Sequence, residues 1–395
     1  MLVIVSAGCS LMKKIHVAIQ GCAHGQLRRI YESVNSLKNK PDILLILGDF
    51  QSLLTKYDFK TCAIPPKYAK LGDFHLYYTG QLKAPVLTVF IGGNHENMGQ
   101  LTKLPYGGYV AENIYYMGAC NVINFMGIKL GGISGIYNEY DHLHERTEWD
   151  QIDWNREKRN TYHVRDSELV PLAMMKSPIS LIMSHDWPTE IAKYGDLKKL
   201  LKQKPYFKDE INDNTLGSPL NFYLLKKLRP EWWVSAHLHV FFTAEYKHDR
   251  KLNEDEIDLD LDLDMNVSTN KDGGKVADDD QNQCTETKFM ALDKCKGADT
   301  TKHLTQISLE YDENHPTCKD RALYWDPEFL ANLKYCTSIK DSLLGKKLEN
   351  IDVESLQSNI KTPTINDWDQ YKIPIPKSFR SMVKQTDYIK ETHLQ

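Results

Sequence analysis

A chain of 395 residues, 41% hydrophobic and 10% aromatic, can bury a sizeable core and has room for two or three domains. The net charge of −4 is unevenly spread: residues 254–264 hold seven acids and no base, so whole-chain charge argues neither for nor against an anionic substrate. Eight scattered cysteines with no CxxC exclude a disulfide framework or zinc ribbon and fit a reducing compartment, and no apolar run reaches the length of a membrane span.

Residues 1–11 superficially resemble a lipoprotein cleavage site but lack a basic leading region and a long enough apolar run, so they read as an N-terminal extension. The folded chain starts at Met12. Residues 15–19 form a first strand, closed by Gly21, and apolar positions 27, 30, 31, 34 and 37 follow at helical spacing. Residues 43–47 are a second buried strand delivering Gly48-Asp49. Residues 51–85 read as loops and a helix, and residues 87–91 as a third strand running into Gly92-Gly93-Asn94-His95-Glu96. Alternation of continuous apolar strands with helices predicts βαβ units and a mainly parallel sheet. Residues 114–117, 122–125 and 128–133 read as a meander, with Gly127 in a hairpin turn, so the second half of the fold is expected to be antiparallel.

From Ser134 to Arg165 apolar periodicity disappears and aromatics alternate with His, Arg and acids. A long loop of this kind in a compact domain is usually functional or disordered. Residues 179–183 are a strand ending in Ser184-His185-Asp186-Trp187. Ser218-Pro219 starts a helix through Leu228, with Ser as N-cap and Pro in the first turn. Residues 232–235 form a strand ending in Ala236-His237-Leu238-His239, and β character continues from 241 to 246. The charged stretch 247–287 is expected to be a disordered acidic insert between neighbouring strands. Strands resume at 289–292 and 304–309, and a helical tail starts at Trp325. The division expected is therefore an extension (1–11), a catalytic domain (12–246), the insert (247–287) and a C-terminal extension (288–395) partly packed on the catalytic domain.

Collected in order, the strand ends present Cys22 and His24, Asp49, Asn94 and His95, His185, then His237 and His239. One buried histidine is more often a core residue than a ligand, but repeated strand-end sets of His, Asp and Asn do not arise that way. His237 and His239, two apart on an extended segment, point the same way, so one turn can serve two metals. Asp49 can bridge with both oxygens. Such a set suits two divalent metals roughly 3.5–4 Å apart that clamp a phosphate and activate water.

These residues resemble the metallophosphoesterase superfamily, whose pattern is D-x-H, GD, GNH(D/E), a lone His and GHxH on an αββα sandwich of two mixed sheets. Ala236 stands for a glycine and Cys22 for the usual aspartate. The cysteine narrows the likeness to the RNA lariat debranching enzymes, which the chain resembles also at Gln20-Gly-Cys-Ala-His-Gly-Gln-Leu27, Ile64-Pro-Pro-Lys-Tyr68, Leu104-Pro-Tyr-Gly-Gly108, Leu216-Gly-Ser-Pro219 and Ser235-Ala-His-Leu-His239. The resemblance implies hydrolysis of the 2′–5′ phosphodiester at the branch point of intron lariats. One metal would be held by Asp49, Asn94, His185 and His237, the other by His24, Asp49, His239 and, in one of two readings, Cys22. His95 would stabilise the transition state or protonate the departing 2′ oxygen. Residues 134–164 would form a lariat-recognition loop, with Tyr137, Tyr140, Arg146, Trp149 and Arg165 meeting the RNA by stacking and phosphate contact. Glu96 and Asp186 are expected as surface carboxylates, at most orienting a ligand.

A thiolate at Cys22 favours iron(II) or zinc, with manganese serving in vitro, and would be sensitive to oxidation. If Cys22 does not reach the metal, that site is short of a ligand. The partners implied are branched RNA and spliceosome-associated factors, without a membrane. The location implied is the nucleus, with the cytoplasm as a second site. The rival readings are another metal-dependent phosphatase or nucleotidase, and a non-catalytic scaffold on the same fold.

Overall fold

The computed structural model describes residues 13–249, 284–297, 299–361 and 363–395. The extension at 1–11 and nearly all of the expected disordered insert lie outside the described residues. Among the described residues thirteen strands form two sheets. The first contains β1 (Lys13–Gln20), β2 (Ile43–Ile46), β3 (Thr88–Phe90), β4 (Gly108–Ala111), β5 (Ile114–Tyr116) and β12 (Leu304–Tyr311), in the order β12-β1-β2-β3-β5-β4. The second contains β6 (Cys120–Phe125), β7 (Ile128–Ile133), β8 (Leu181–Ser184), β9 (Trp232–Ser235), β10 (Phe242–Lys247), β11 (Glu286–Ala291) and β13 (Tyr324–Trp325), in the order β10-β11-β9-β8-β7-β6-β13.

Side-chain alternation builds the layers. Val17 and Ile19 of β1 and Ile43 and Leu45 of β2 point between the sheets, against Leu130, Met183, Val234 and Met290. The intervening Ala18, Leu44 and Ile46 point outward, under Leu27 and Ile30 of the helix Leu27–Asn35. Val122 and Trp233 face the opposite way, under the helices Asp166–Ala173, Pro219–Leu228 and Pro327–Ser338. Both faces of each central strand are therefore apolar, which is why those strands read as unbroken hydrophobic runs. The result is the expected αββα sandwich.

Several expectations need correction. The second sheet is not antiparallel at its centre: β7, β8, β9 and β11 run parallel, and only its margins β10, β6 and β13 pair antiparallel. The β6–β7 hairpin is real, with Met126 and Gly127 both at positive φ as a tight turn requires. However, the helices at 166–173 and 219–228 carry the chain back to start each following strand in the same direction. Residues beyond 288 are not an appendage, because β11 extends the second sheet and β12 pairs with β1 of the first. Lys247 and Glu286, assigned to the insert, are paired ends of β10 and β11. Trp325 belongs to an edge strand on β6, and the helix begins only after Asp326, whose carboxylate accepts from Phe329 N at 3.0 Å. Between 134 and 165 the one helical turn is the 3₁₀ segment Asn160–Tyr162.

Candidate metal centre

All the expected donors come from carboxyl ends of strands. β1, β2 and β3 of the first sheet deliver Cys22 and His24, Asp49, and Asn94 and His95; β8 and β9 of the second deliver His185, and His237 and His239. The loops are locked together by backbone hydrogen bonds, from His24 N to Asp49 O at 2.7 Å and from Ala236 N to His185 O at 3.1 Å. Two glycines are needed for close approach. A Cβ on Gly48, itself at φ +100°, would lie 2.2 Å from His185 Nδ1, and one on Gly93 would lie 2.3 Å from Asp49 Oδ1.

The side chains form two adjoining halves that share Asp49. In one half His185 Nε2 lies 3.5 Å from Asp49 Oδ1 and 3.3 Å from Asn94 Oδ1, with the His237 ring 4.9 Å from that of His185. In the other, the donor atoms of Cys22, His24, Asp49 and His239 all lie within 4.8 Å of one another. There His24 Nε2 is 3.2 Å from His239 Nε2 and 3.7 Å from Asp49 Oδ2. The extended alternation expected for His237 and His239 is absent. Both are left-handed, at φ +58° and +50°, and this kink sends one ring to each half. His24, Asp49 and Gln51 are left-handed too, at φ +46°, +47° and +60°. Such residues cost on the order of 1–3 kcal/mol each and persist where the surroundings over-determine them.

Electrostatics suit a cation. Burial pushes His185 down to about 4 and His239 down to about 3, and it lowers His24, so these rings are neutral with free lone pairs near pH 7. Burial opposes ionising Asp49, but His185, His24, His95 and His237 outweigh it and hold the carboxyl well below the usual range. Neutral imidazole nitrogens converging on an ionised carboxylate fit a divalent transition metal. His185 is oriented for that role, since Leu47 O can only accept and so takes the Nδ1 proton at 2.7 Å. His24 Nδ1 meets Gln51 Nε2 at 3.3 Å.

His95 is held differently. Its backbone N donates to Asp49 Oδ1 at 2.8 Å, and its Nδ1 donates to Ala63 O at 3.1 Å. Its Nε2 lies 3.4 Å from Asn94 Nδ2 at the edge of the cleft, and the ring is 6.0 Å from that of His24. Cys22 does not match a reactive thiolate: it is fully buried, and burial together with Asp49 pushes its thiol well up. The expected sensitivity to oxidation therefore does not follow from the thiol's own environment.

Glu96 and Asp186 are not surface carboxylates. Glu96 is fully buried and accepts from Phe50 N at 2.6 Å, Gln51 N at 2.8 Å and Gly93 N at 3.1 Å. Burial first and Asp49 second push it up to about 8. Asp186 accepts from Trp187 N at 3.0 Å and Tyr137 N at 3.3 Å. Glu96 thus ties the Asp49 turn to the Asn94–His95 turn, and Asp186 ties the second sheet to the start of the 134–164 loop.

The loop's expected contacts divide. Tyr140 and Trp149 are exposed, at 74% and 38%, although Lys103 sits 5.5 Å over the indole. Arg165 is fully buried and donates to His163 O at 3.0 Å, so it offers no surface to a ligand. Arg146 grips Glu168 through Nε at 2.7 Å and Nη2 at 2.8 Å, and also holds Thr161 O and His163 O. Both arginines hold the loop in shape because its irregular backbone has carbonyls that no strand or helix satisfies. Tyr137 is partly buried against the helical layer, its ring 5.1 Å from His142. Sequence reasoning missed Gln51, which carries no periodic or motif signal, and underrated Glu96, whose burial depends on strands 45 residues apart in the chain.

Residues 15–241 match the family of calcineurin-like phosphoesterases. The chain is 44% identical to the lariat debranching enzyme of Saccharomyces cerevisiae over 92% of its own length and 94% of that protein. It is 40% identical to lariat debranching enzyme A of Xenopus laevis, over 80% of this chain and 54% of that one. It is 37% identical to the lariat debranching enzyme of Drosophila melanogaster, over 94% of this chain and 73% of that one. The chain thus spans nearly all of the yeast relative and about half of the frog one. This chain belongs to the calcineurin-like phosphoesterases and, within them, to the family of the lariat debranching enzymes.

Proposed function

We propose that this protein hydrolyses the 2′–5′ phosphodiester at the branch point of lariat RNA and releases a linear RNA. The observation that carries the reading is the convergence of Cys22, His24, Asp49 and His239 on one spot beside His185 and Asn94, in a chain 44% identical to a debranching enzyme over 92% of its length. Asp49, Asn94, His185 and His237 would hold one divalent metal, and His24, Asp49, His239 and Cys22 the other. When bound, such a pair clamps the phosphate and lowers the pKa of water. The mixed donor set, with nitrogen, oxygen and one sulfur, favours iron(II) or zinc, with manganese as a substitute in vitro.

His95 holds its Nδ1 proton on Ala63 O and lines the cleft with Nε2; as an imidazolium carrying a second proton on Nε2 it can give that proton to the departing 2′ oxygen and return to the neutral ring. Asp49 fixes the main chain beneath that ring by accepting from the His95 backbone N–H. The 134–164 loop offers Tyr140 and Trp149 for stacking on unpaired bases. A branched substrate made by splicing implies nuclear residence with a cytoplasmic pool, and spliceosome-associated factors as neighbours.

The test is a side-by-side assay on a synthetic branched RNA and on a phosphomonoester, with metal content measured in anaerobically purified protein. Conversion of the branched RNA to linear product with poor monoester turnover is expected. Efficient monoester hydrolysis with an uncut branch would favour a phosphatase or nucleotidase and overturn the reading; loss of both would leave a scaffold.

A further inference from the structure

The metal centre opens on a cleft of about 680 Å³ that the recognition loop does not line. Its lining includes three histidines (His24, His95, His239) and three lysines (Lys70, Lys294, Lys296), and among the described residues no carboxylate side chain. Lys296 is neutralised by Asp293 at 2.7 Å. Lys70 and Lys294 have no ion-pair or hydrogen-bond partner for their ammonium groups among the described residues. Cations of one sign in a concave site focus the field on an anion.

Both lysines sit on segments anchored to the reaction centre. The carbonyl that fixes the His95 ring belongs to Ala63, and the chain then runs along the cleft through Ile64 and Pro65 to Tyr68 and Lys70. On the other side Cys295 N donates to Cys22 O at 2.9 Å, and Gln26 Nε2 donates to Cys295 O at 2.9 Å. Asp293 O lies so close to Gly21 that a Cβ there would meet it at 2.0 Å, which leaves the backbone of Lys294 no slack. On the first of these segments Tyr68 is 62% exposed, with Lys67 4.8 Å over its ring. An exposed aromatic flanked by unpaired lysines is the combination that binds single-stranded RNA, by a base on the ring and phosphates on the ammonium groups.

The loop from 134 is tied instead to the turn after β3, where Gly135 N donates to Gly92 O and Ser134 Oγ accepts from Gly92 N, both at 2.9 Å. We propose that Tyr68, Lys70 and Lys294 form a second RNA-binding wall, which holds an arm of the branched substrate different from the one that meets the recognition loop. A branch nucleotide joins three strands, so one loop cannot grip them all. The inference rests on the debranching reading and adds to it which residues carry the second arm.

The test is steady-state cleavage by the metal-loaded full chain of two branched RNAs, one with all three arms several nucleotides long and one trimmed to the branch. The variants are Lys70→Ala, Lys294→Ala, Lys294→Arg and Tyr68→Ala, with salt varied. On the long-armed RNA, KM rises with kcat nearly kept. Each alanine at a lysine makes the dependence of log(kcat/KM) on log salt shallower by about 0.7, and Lys294→Arg restores it. Tyr68→Ala raises KM about 5- to 150-fold, the scale of one stacked base. On the trimmed RNA these differences collapse. Unchanged KM and salt slope on the long-armed RNA, or the same loss on both RNAs, would overturn the proposal. A parent protein unable to cut either RNA would instead sink the debranching reading, and this inference with it.

Discussion

Substituting Glu96 by Gln sets two effects of opposite sign against each other. In the metal-free protein the carboxyl is pushed up from 4.5 to about 8, by burial first and by Asp49 second. A carboxyl raised in this way contributes stability that is full below pH 4.5 and is lost as pH rises toward 8, because the unfolded chain gives up its proton first. Near pH 7 this costs up to about 3 kcal/mol, at 1.36 kcal/mol per pH unit. Glutamine does not titrate and is spared that cost. It carries a different one. Oε1 serves Phe50 N and Gly93 N, and glutamine keeps it; Oε2 serves Gln51 N at 2.8 Å, and an amide NH₂ there faces a donor. A buried N–H left unsatisfied costs about 1–3 kcal/mol.

In metal-free protein Glu96→Gln should therefore be destabilising at pH 5 and neutral or stabilising at pH 8, flattening the pH dependence between. With divalent metal added, the charge of Asp49 is offset, which removes the second cause of the upward push, and the three hydrogen bonds become charge-assisted once Glu96 ionises. The variant should then lose about 1–3 kcal/mol at every pH, on the order of 2–4 °C in Tm per kcal/mol, and hold metal more weakly. The assay is thermal unfolding at pH 5, 6.5 and 8, with and without manganese, beside a metal titration. Parallel pH curves for parent and variant would refute the titration account, and equal metal affinity would refute the clamp.

His95→Ala should keep its metal content and lose roughly 10²–10⁴ in rate on branched RNA, since its ring stands on Ala63 O and not among the donors; loss of metal would make it a ligand. Cys22→Ser should lower zinc or iron retention in the half built by His24 and His239 while leaving the His185 half loaded, read by elemental analysis; unchanged content would mean that Cys22 packs without ligating. Arg165→Ala should cost stability, about 2–4 kcal/mol by urea unfolding, because it empties a fully buried site and removes one donor each from His163 O and Asn160 O, which keep Arg146 and His163 N as partners. Trp149→Ala, at an exposed position, should raise KM for branched RNA with little change in stability, and the opposite pattern would reverse the two roles. Joining Asp249 to Cys284 through a short Gly/Ser bridge should preserve fold and activity, because Lys247 already pairs with Glu286; failure to fold, seen by circular dichroism, would refute this.

The sequence by itself determined the strand ends and their chemistry. Unbroken apolar runs such as 43–47, bounded by Pro41 and Gly48, read as strands covered on both faces. The polar residues that follow them must then emerge together at the carboxyl edge. That is why Cys22, His24, Asp49, Asn94, His185 and the two histidines after β9 are recognisable as one set in the chain itself. It could not determine how those ends meet. Strand direction in the second sheet depended on helices that return the chain, and local patterning does not record direction. The split of His237 and His239 between two halves depended on left-handed backbone at both, which alternation cannot foresee. Burial decided the rest. Glu96, Arg165 and the Cys22 thiol are polar groups whose character is set by neighbours far along the chain, so a carboxylate that reads as surface became a clamp. For the same reason an arginine that reads as an RNA contact became a strut. A residue's type is written in the chain, but its solvation is a property of the packed molecule, and solvation is what assigns a polar side chain its work.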